Sequence, residues 1–275
     1  MNISDWLTNS AKQLKQIGID SSRLDVEIIL AHTLHKSRTW LHAHGDEKID
    51  GRAQEVADAR LELRKDFTPI AYIIGHKEFY GRTFSVTPST LIPRPESETL
   101  IDLLKENIDT SRLFDNPPMQ LIDIGTGSGC LGITAKLELP ELAVTLADVS
   151  RHALTIARKN AKSLKAEVGV IKSDLLTHYH IKPDYIIANL PYVDRSWYTN
   201  DETRHEPDLA LYADDDGLQL IKQLLVQAST QLAPNAIILL EADPRQHQAI
   251  IEGANKHGFV LRSKKDYIVV LSKTN

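Results

Sequence analysis

The chain has 275 residues, 42% apolar and 25% charged, with a formal net charge of −5. That length suits one large domain with a smaller one, and the acidic balance weighs against a protein whose main task is gripping a phosphate backbone. A single cysteine, Cys130, excludes an internal disulfide and fits a reducing cytoplasm.

Residues 1–66 read as helices. Ile3, Trp6, Leu7, Leu14 and Ile17 recur at helical spacing, and Gly18 follows as a stop. Asp20 or Ser21 can cap a second helix that carries Leu24, Ile28, Ala31 and Leu34 on one face. A short piece around Trp40 and Leu41 comes next, then the charged helix DGRAQEVADARLELRKDF with Val56, Leu61 and Leu63 turned inward. Trp6 and Trp40 read as core. Acids and bases are equal in number over residues 1–93, so this part carries no basic stripe. A small helical bundle of this kind suits docking a partner better than chemistry.

Residues 67–93, FTPIAYIIGHKEFYGRTFSVTPSTLIP, hold two β-rich runs, Ile70–Ile74 and 83–86, punctuated by Gly75 and Gly81. They predict a β-hairpin linking the two domains. RPESETLIDLLKENI then opens the larger domain, 94–275, as an amphipathic helix, with Pro95 in the first turn where its missing N–H costs nothing. Further on, strand candidates at 119–124, 143–147, 167–172, 184–188 and 236–241 alternate with helices near 130–138, 151–164 and 216–232. The alternation predicts a parallel sheet covered on both faces, an α/β fold. GFVLRS and YIVVLS lie close together near the end and predict a terminal antiparallel pair.

Ligands of open α/β sheets bind at the carboxyl ends of the strands. The first strand, within QLIDIGTGSG at 120–129, ends on Asp123 and a turn of Gly125, Thr126, Gly127, Ser128 and Gly129. The second ends on Asp148, 23 residues after Gly125, and the third on Asp174 with Leu175 behind it. The fourth ends on Asn189, Leu190, Pro191 and Tyr192. Glycine lets backbone approach a ligand closely. A dinucleotide fingerprint needs a glycine or alanine where Cys130 stands. Asp148 has the spacing of a carboxylate bonded to ribose hydroxyls, and Asp174 can accept from an exocyclic adenine amine. Singly, each aspartate can be a helix cap. Jointly, at successive strand ends, they describe an adenosine site with no pyrophosphate cradle.

DIGTGSG, the two downstream aspartates and NLPY resemble class I S-adenosylmethionine-dependent methyltransferases. More narrowly, PIAYIIGHKEF, LIPRPESE, DIGTGSG and the pair NLPYVD with RHEPDLAL resemble the release-factor glutamine methyltransferases (HemK-type), over about residues 69 to 241. The resemblance implies a Rossmann-like seven-stranded sheet with a small N-terminal helical domain and a linking β-hairpin. It implies S-adenosylmethionine as cofactor, and methyl transfer to the glutamine of a Gly-Gly-Gln loop in peptide chain release factors. It also implies substrate roles for Arg94, within LIPRPESE, and for Glu206, within RHEPDLAL. The family usually carries NPPY, and here Leu190 stands where the first proline does.

An amide nitrogen is a poor nucleophile because its lone pair is delocalised, so a site that methylates one must orient it. The Asn189 side-chain oxygen and the Leu190 carbonyl can each accept one amide N–H and aim the nitrogen at the methyl. The same acceptors meet charge that develops on nitrogen. Pro191 restricts the backbone, and Tyr192 offers a flat face for stacking. No metal is required.

NLPY also resembles the tetrapeptide of ribosomal-RNA adenine dimethylases, so it does not choose the substrate by itself. An adenine-amine methyltransferase acting on rRNA or DNA is therefore the rival, and a non-catalytic cofactor-binding module is a third reading. The LIPRPESE segment favours the protein substrate. So does the stretch 194–217, whose eight acids against two arginines make a net charge of −6 that repels phosphate. Trp197 within it can line a substrate channel. The pairs His42/His44 and His178/His180 lack a cluster that would complete a metal set. No run of about 18 apolar residues occurs, and the N-terminus MNISDWLTNS lacks a basic region followed by an apolar core. A cytoplasmic monomer is expected, with no membrane span, no secretion signal and no stable nucleic-acid partner.

Overall fold

The structure, a computed structural model, describes residues 1–197 and 199–274. The chain forms two compact units. The first comprises residues 1–76 with 200–205, and the second comprises 77–199 with 206 onward.

The first unit is helical: α1 (Ile3–Gln16), α2 (Ser22–Leu34), α3 (Arg38–Ala43), α4 (Gly51–Lys65) and α5 (Ile70–Ile74). Asn2 caps α1 by accepting from the Asp5 amide, and Asp50 caps α4 by accepting from the amides of Arg52 and Ala53. Ile3, Trp6, Leu7, Leu14, Val26, Ile29, Leu30, Leu41 and Leu61 form its core. Trp6 is buried as expected and donates its indole N–H to Asp58 at 2.7 Å. Trp40 is half-buried and stacks on His44, with 4.1 Å between ring centroids.

Two helix faces differ from expectation. On α2 the inward residues are Val26, Ile29, Leu30 and Ala31, and Leu24 is exposed. On α4 they are Ala57, Leu61 and Arg64, whereas Val56 and Leu63 face water. The reason on α4 is electrostatic. The buried Arg64 guanidinium bonds Asp25 at 2.7 Å and Glu202 at 2.5 Å, and a buried charge must keep such partners. That triad turns the helix away from the face hydrophobicity alone would choose. It also occupies an acid of the 194–217 stretch, and Arg204 pairs with Asp66 at 3.0 Å.

The run Ile70–Ile74, expected as a strand, is a helical turn. Pro69 starts it, and Gly75, at φ +78, ends it in the left-handed region that suits glycine. Ile70 and Ile73, three apart, then meet the helical core. The hairpin follows it: β1 (His76–Phe79) and β2 (Arg82–Ser85). Tyr80 (φ +51) and Gly81 (φ +69) make the two-residue turn, with both residues at positive φ as a tight hairpin prefers. Phe79 and Phe84 pack edge to face beneath it.

The second unit continues with α6 (Glu98–Asn107), β3 (Gln120–Ile124), α7 (Cys130–Glu138), β4 (Ala143–Asp148), α8 (Arg151–Leu164), β5 (Gly169–Lys172) and β6 (Tyr185–Ala188). Then come α9 (Asp208–Leu211), α10 (Gln219–Gln231), β7 (Ile237–Glu241), α11 (His247–Lys256), β8 (Phe259–Lys265) and β9 (Ile268–Lys273). Among the described residues the sheet has seven strands in the order β5-β4-β3-β6-β7-β9-β8. The first five are mutually parallel, and β9 runs antiparallel to both β7 and β8. The closing pair therefore forms as expected.

Strands β6 and β7 are buried at every residue, which is why they read as unbroken apolar runs. One apolar cluster covers each face of the sheet. The strand order reverses between β3 and β6, and this switch point opens a crevice at the carboxyl ends. The α11 helix was not foreseen. It is announced by a capping box at its entry, where Asp243 and Gln246 bond each other's backbone, rather than by a long apolar face.

Candidate active site

A cavity of about 470 Å³ opens at the switch point, a size that admits a nucleoside-sized ligand. Four strand ends line it: Gly125, Thr126, Gly127 and Ser128 after β3, Asp148 at the end of β4, Asp174 and Leu175 after β5, and Asn189, Leu190 and Pro191 after β6. Arg94 and Ser97 line it from the turn before α6, and Pro207, Leu209 and Ala210 from α9 and its entry.

The glycine turn is fastened from three sides. The amides of Gly125 and Thr126 donate to the Ala147 carbonyl at 2.9 and 3.0 Å. The Gly127 amide donates to Asp148 at 2.9 Å, and the other Asp148 oxygen accepts from the Ser150 amide at 2.8 Å. Ser150, not Asp148, is the side-chain cap of α8. Asn160, buried on α8, donates to the Ser128 carbonyl at 2.8 Å and bonds both backbone groups of Ser85, so it joins the turn to the hairpin. Gly127 has φ +55, and a side chain added there would meet nothing nearer than the Gly125 carbonyl at 3.9 Å, so the space above it belongs to the cavity. Burial raises the Asp148 carboxyl, against the pull of the Ser150, Gly127 and Val149 amides. The Asp174 side chain is exposed and makes no hydrogen bond among the described residues.

Asp123 does not line the cavity. It lies fully buried beneath the turn, where one oxygen accepts from the Thr126 hydroxyl at 2.5 Å and the Gly132 amide at 2.8 Å, and the other has no partner. Burial pushes this carboxyl up to about 7. The bonds from Thr126 and Gly132 oppose that, and the neighbouring Asp148 adds to it. Between its unfolded value of 3.8 and about 7 the folded state holds a proton that the unfolded chain has released. Stability from this group is thus complete below pH 4 and is lost as pH rises through 7. The D123N variant keeps the shape without the charge. It is expected to match the wild type near pH 4 and to exceed it at pH 8, by about 4 kcal/mol at most. Denaturant unfolding at the two pH values tests this, and an equal gap at both would refute it.

Gly129 also has no part in the lining. Its φ is +84, and a side chain there would press to 2.7 Å from Ile133, so this glycine serves helix packing. Cys130 does line the cavity, but burial pushes its thiol up to about 12, which leaves it inert as a nucleophile.

Asn189 sits one residue past β6 and donates its side-chain N–H to Ser97 Oγ at 3.2 Å. Its Oδ1 accepts no bond among the described residues, nor does the Leu190 carbonyl. The Leu190 side chain packs over Gly125, where an added methyl would come within 3.0 Å of it. Tyr192, expected as a stacking face, does not line the cavity. Its ring packs into the core under the site and its hydroxyl donates to Glu241 at 3.3 Å. The Tyr192 carbonyl accepts from Gln246 at 2.8 Å, against a backbone so close that a side chain at Gly217 (φ +77) would come to 2.0 Å. Glu206 is likewise buried outside the lining. It accepts from the Ile92 amide at 3.1 Å and from the Arg94 guanidinium, so it holds Arg94 and does not face a ligand. Trp197 carries the Arg245 guanidinium on its ring at 3.9 Å and does not reach the cavity. Sequence reasoning missed Ser97, Asn160, Glu241 and Gln246. The signal for Glu241 was its place at the carboxyl end of the next parallel strand.

A doubly wound seven-stranded sheet with an antiparallel last strand pair, a glycine turn after its central strand and a one-nucleoside cavity defines a class I methyltransferase. Its fold is similar to a methyltransferase from Pyrococcus furiosus, with a TM-score of 0.55 and 19% identity over 79% of this chain and 98% of that one. Residues 5–75 match the PrmC N-terminal domain family and residues 97–205 the methyltransferase small domain family. The chain is 34% identical to the release factor glutamine methyltransferase of Deinococcus radiodurans, over 89% of this chain and 87% of that protein. It is 31% identical to the release factor glutamine methyltransferase of Haemophilus influenzae, over 91% and 89%. It also shares 31% identity with a bifunctional methyltransferase of Rickettsia felis, of which it spans 55%. The chain belongs to the family of release factor glutamine methyltransferases.

Proposed function

We propose that this enzyme transfers a methyl group from S-adenosylmethionine to the side-chain amide nitrogen of the glutamine in the Gly-Gly-Gln loop of peptide chain release factors. The observation that carries the reading is Asn189. Its N–H is spent on Ser97, so its oxygen is free on the cavity side, within the same cavity as the glycine turn.

The residues present fit the cofactor. A carboxylate at the β4 end, an open glycine backbone at Gly127 and an exposed carboxylate at Asp174 suit one nucleoside without phosphates. Asp148 takes the ribose hydroxyls, Asp174 with Leu175 the adenine, and Gly125, Thr126, Gly127 and Ser128 the rest of the molecule. When bound, S-adenosylmethionine supplies an electrophilic methyl on a sulfonium, which leaves as a neutral thioether. Asn189 Oδ1 and the Leu190 carbonyl each accept one N–H of the glutamine amide, which fixes its plane and points its lone pair along the transfer axis. The nitrogen gives up one proton to solvent as the N–CH₃ bond forms. Pro191 stiffens the acceptor strand, and Arg94, held by Glu206, offers its guanidinium at the cavity wall.

Residues 1–66 serve as the docking part and 67–93 as the linker. Supporting a cytoplasmic monomer without stable nucleic acid are the single cysteine and the net charge of −5. Among the described residues no helix is long and apolar enough to cross a membrane. The rival adenine-amine reading has no observation in its favour beyond the shared tetrapeptide. Incubating the protein with S-adenosylmethionine and either unmethylated release factor or ribosomal RNA, then locating the added 14-Da mass by peptide and nucleoside mass spectrometry, decides it. Methyl on glutamine is expected; methyl on adenine alone would overturn the reading.

A further inference from the structure

Asparagine has two ends of nearly equal size, so its shape does not say which faces the cavity. Methylation needs the oxygen there. A flipped Asn189 would present an N–H₂ to the substrate amide, donor against donor, and the nucleophile would lose its guide. Ser97 Oγ, the partner of Asn189, both donates and accepts, so by itself it tolerates either orientation. Something must remove that ambiguity.

Glu241 is placed to do so. It closes β7, one register step past the Ala188–Leu240 pair, and therefore lies beside Asn189 on the neighbouring strand. It is 2% exposed. One oxygen accepts the Tyr192 hydroxyl at 3.3 Å, and the other is buried with no hydrogen-bond partner among the described residues. We propose that Glu241 is a positioning residue: its acceptor-only carboxylate draws the Ser97 hydroxyl proton toward itself, which obliges Ser97 Oγ to accept from Asn189 and so keeps Asn189 Oδ1 on the cavity side. This rests on the methyl-transfer reading above.

The surroundings agree. Burial raises the Glu241 carboxyl, while the polar side chains of Ser97, Tyr192 and Asn189 beside it lower it and the charge of Glu96 raises it further. Cys130 on α7 also feels Glu241, and Arg94 and Tyr267 act on Tyr192. Once protonated, Glu241 becomes a donor. Ser97 is then free to donate to Asn189, and the flip is no longer opposed. The ionised form is the active one, so activity falls as pH drops through the folded-state value.

The test uses the full chain with release factor and saturating S-adenosylmethionine. E241Q, isosteric but able to donate, is expected to lower kcat by about 10²-fold with cofactor affinity unchanged by calorimetry, and to lose the acid limb of the wild-type kcat profile. S97A breaks the same relay, so the double variant should be no slower than the slower single one. Wild-type kcat in E241Q, an unchanged acid limb, or additive losses in the double variant would each overturn the proposal. Should E241Q fail to fold, S97A carries the kinetic test. Failure of the wild type to methylate release factor would count against the function alone. In that case the Asn189 side-chain ¹⁵NH₂ signals, assigned by their loss in N189D, still report: they should titrate with pH in the wild type and not in E241Q, and their indifference to pH would overturn the proposal.

Discussion

Asn189→Ala is expected to cut kcat for glutamine methylation by about 10³-fold, the effect of removing one preorganised polar group from a site where charge develops. Most of the affinity for S-adenosylmethionine should remain. The two quantities should separate, because the proposed cofactor contacts lie on the β3 turn and the ends of β4 and β5, whereas Asn189 follows β6. In the proposed mechanism, loss of the side chain removes one of two acceptors for the substrate amide. With the Leu190 carbonyl as the only remaining acceptor, the amide would rotate about that bond, and the in-line approach of nitrogen would be reached only rarely. N189D should not rescue. It supplies acceptors, but it cannot donate to Ser97, and it sets a carboxylate beside the buried Glu241. Single-turnover rates with pre-bound cofactor, set against equilibrium binding, measure both quantities. A wild-type rate in N189A would remove Asn189 from the mechanism. A fall in cofactor affinity as large as the fall in rate would make it a cofactor ligand instead.

The parts of this molecule that were legible in the sequence are those in which one physical demand acts alone. Strands β3, β4, β6 and β7 lie in the interior, so their residues read as apolar runs, and the limits of α7 and α8 follow from glycine and serine at their starts. Where two demands compete, the pattern misleads. Ile70–Ile74 is β-branched by composition, yet Pro69 starts a helical turn, Gly75 ends it in the left-handed region, and that turn sets Ile70 and Ile73 against the helical core. On α4 the interior position goes to Arg64 because Asp25 is already buried there, and hydrophobicity carries no record of a buried ion pair. The site shows the same split. Residues whose backbone or position at a strand end is the point, such as Gly127, Asp148 and Asn189, line the cavity. Glu206 was found for its place in a motif, and only the fold shows that its charge is spent on Arg94 and the Ile92 amide. Tyr192 was read by its ring, whereas its hydroxyl and carbonyl make the recorded bonds. Asn160 and Ser97 lie in polar helical stretches where nothing in the spacing sets them apart.

Asp148→Ala is expected to weaken S-adenosylmethionine binding by about 10³-fold, because two hydrogen bonds from ribose hydroxyls to a carboxylate contribute about 1.5–3 kcal/mol each. The geometry leaves room for those bonds. A carboxylate offers about four lone-pair sites, and one on each oxygen is taken by the amides of Gly127 and Ser150. The same substitution strips the Gly127 amide of its acceptor and loosens the turn that lines the cavity. At saturating cofactor kcat should recover most of its wild-type value, since Asp148 does not touch the transferring methyl. Asp174→Ala is the comparison: its side chain is exposed and holds no part of the protein, so only a single solvent-screened contact is lost and the weakening should be about tenfold. Calorimetric titration of both variants gives the ratio. Equal, small losses would mean that the β4 carboxylate is only a fastener for the turn. A loss confined to D174A would place the ribose elsewhere. The expected hundredfold difference between the two would assign the half-buried carboxylate, fastened by the Gly127 and Ser150 amides, as the group that recognises the sugar.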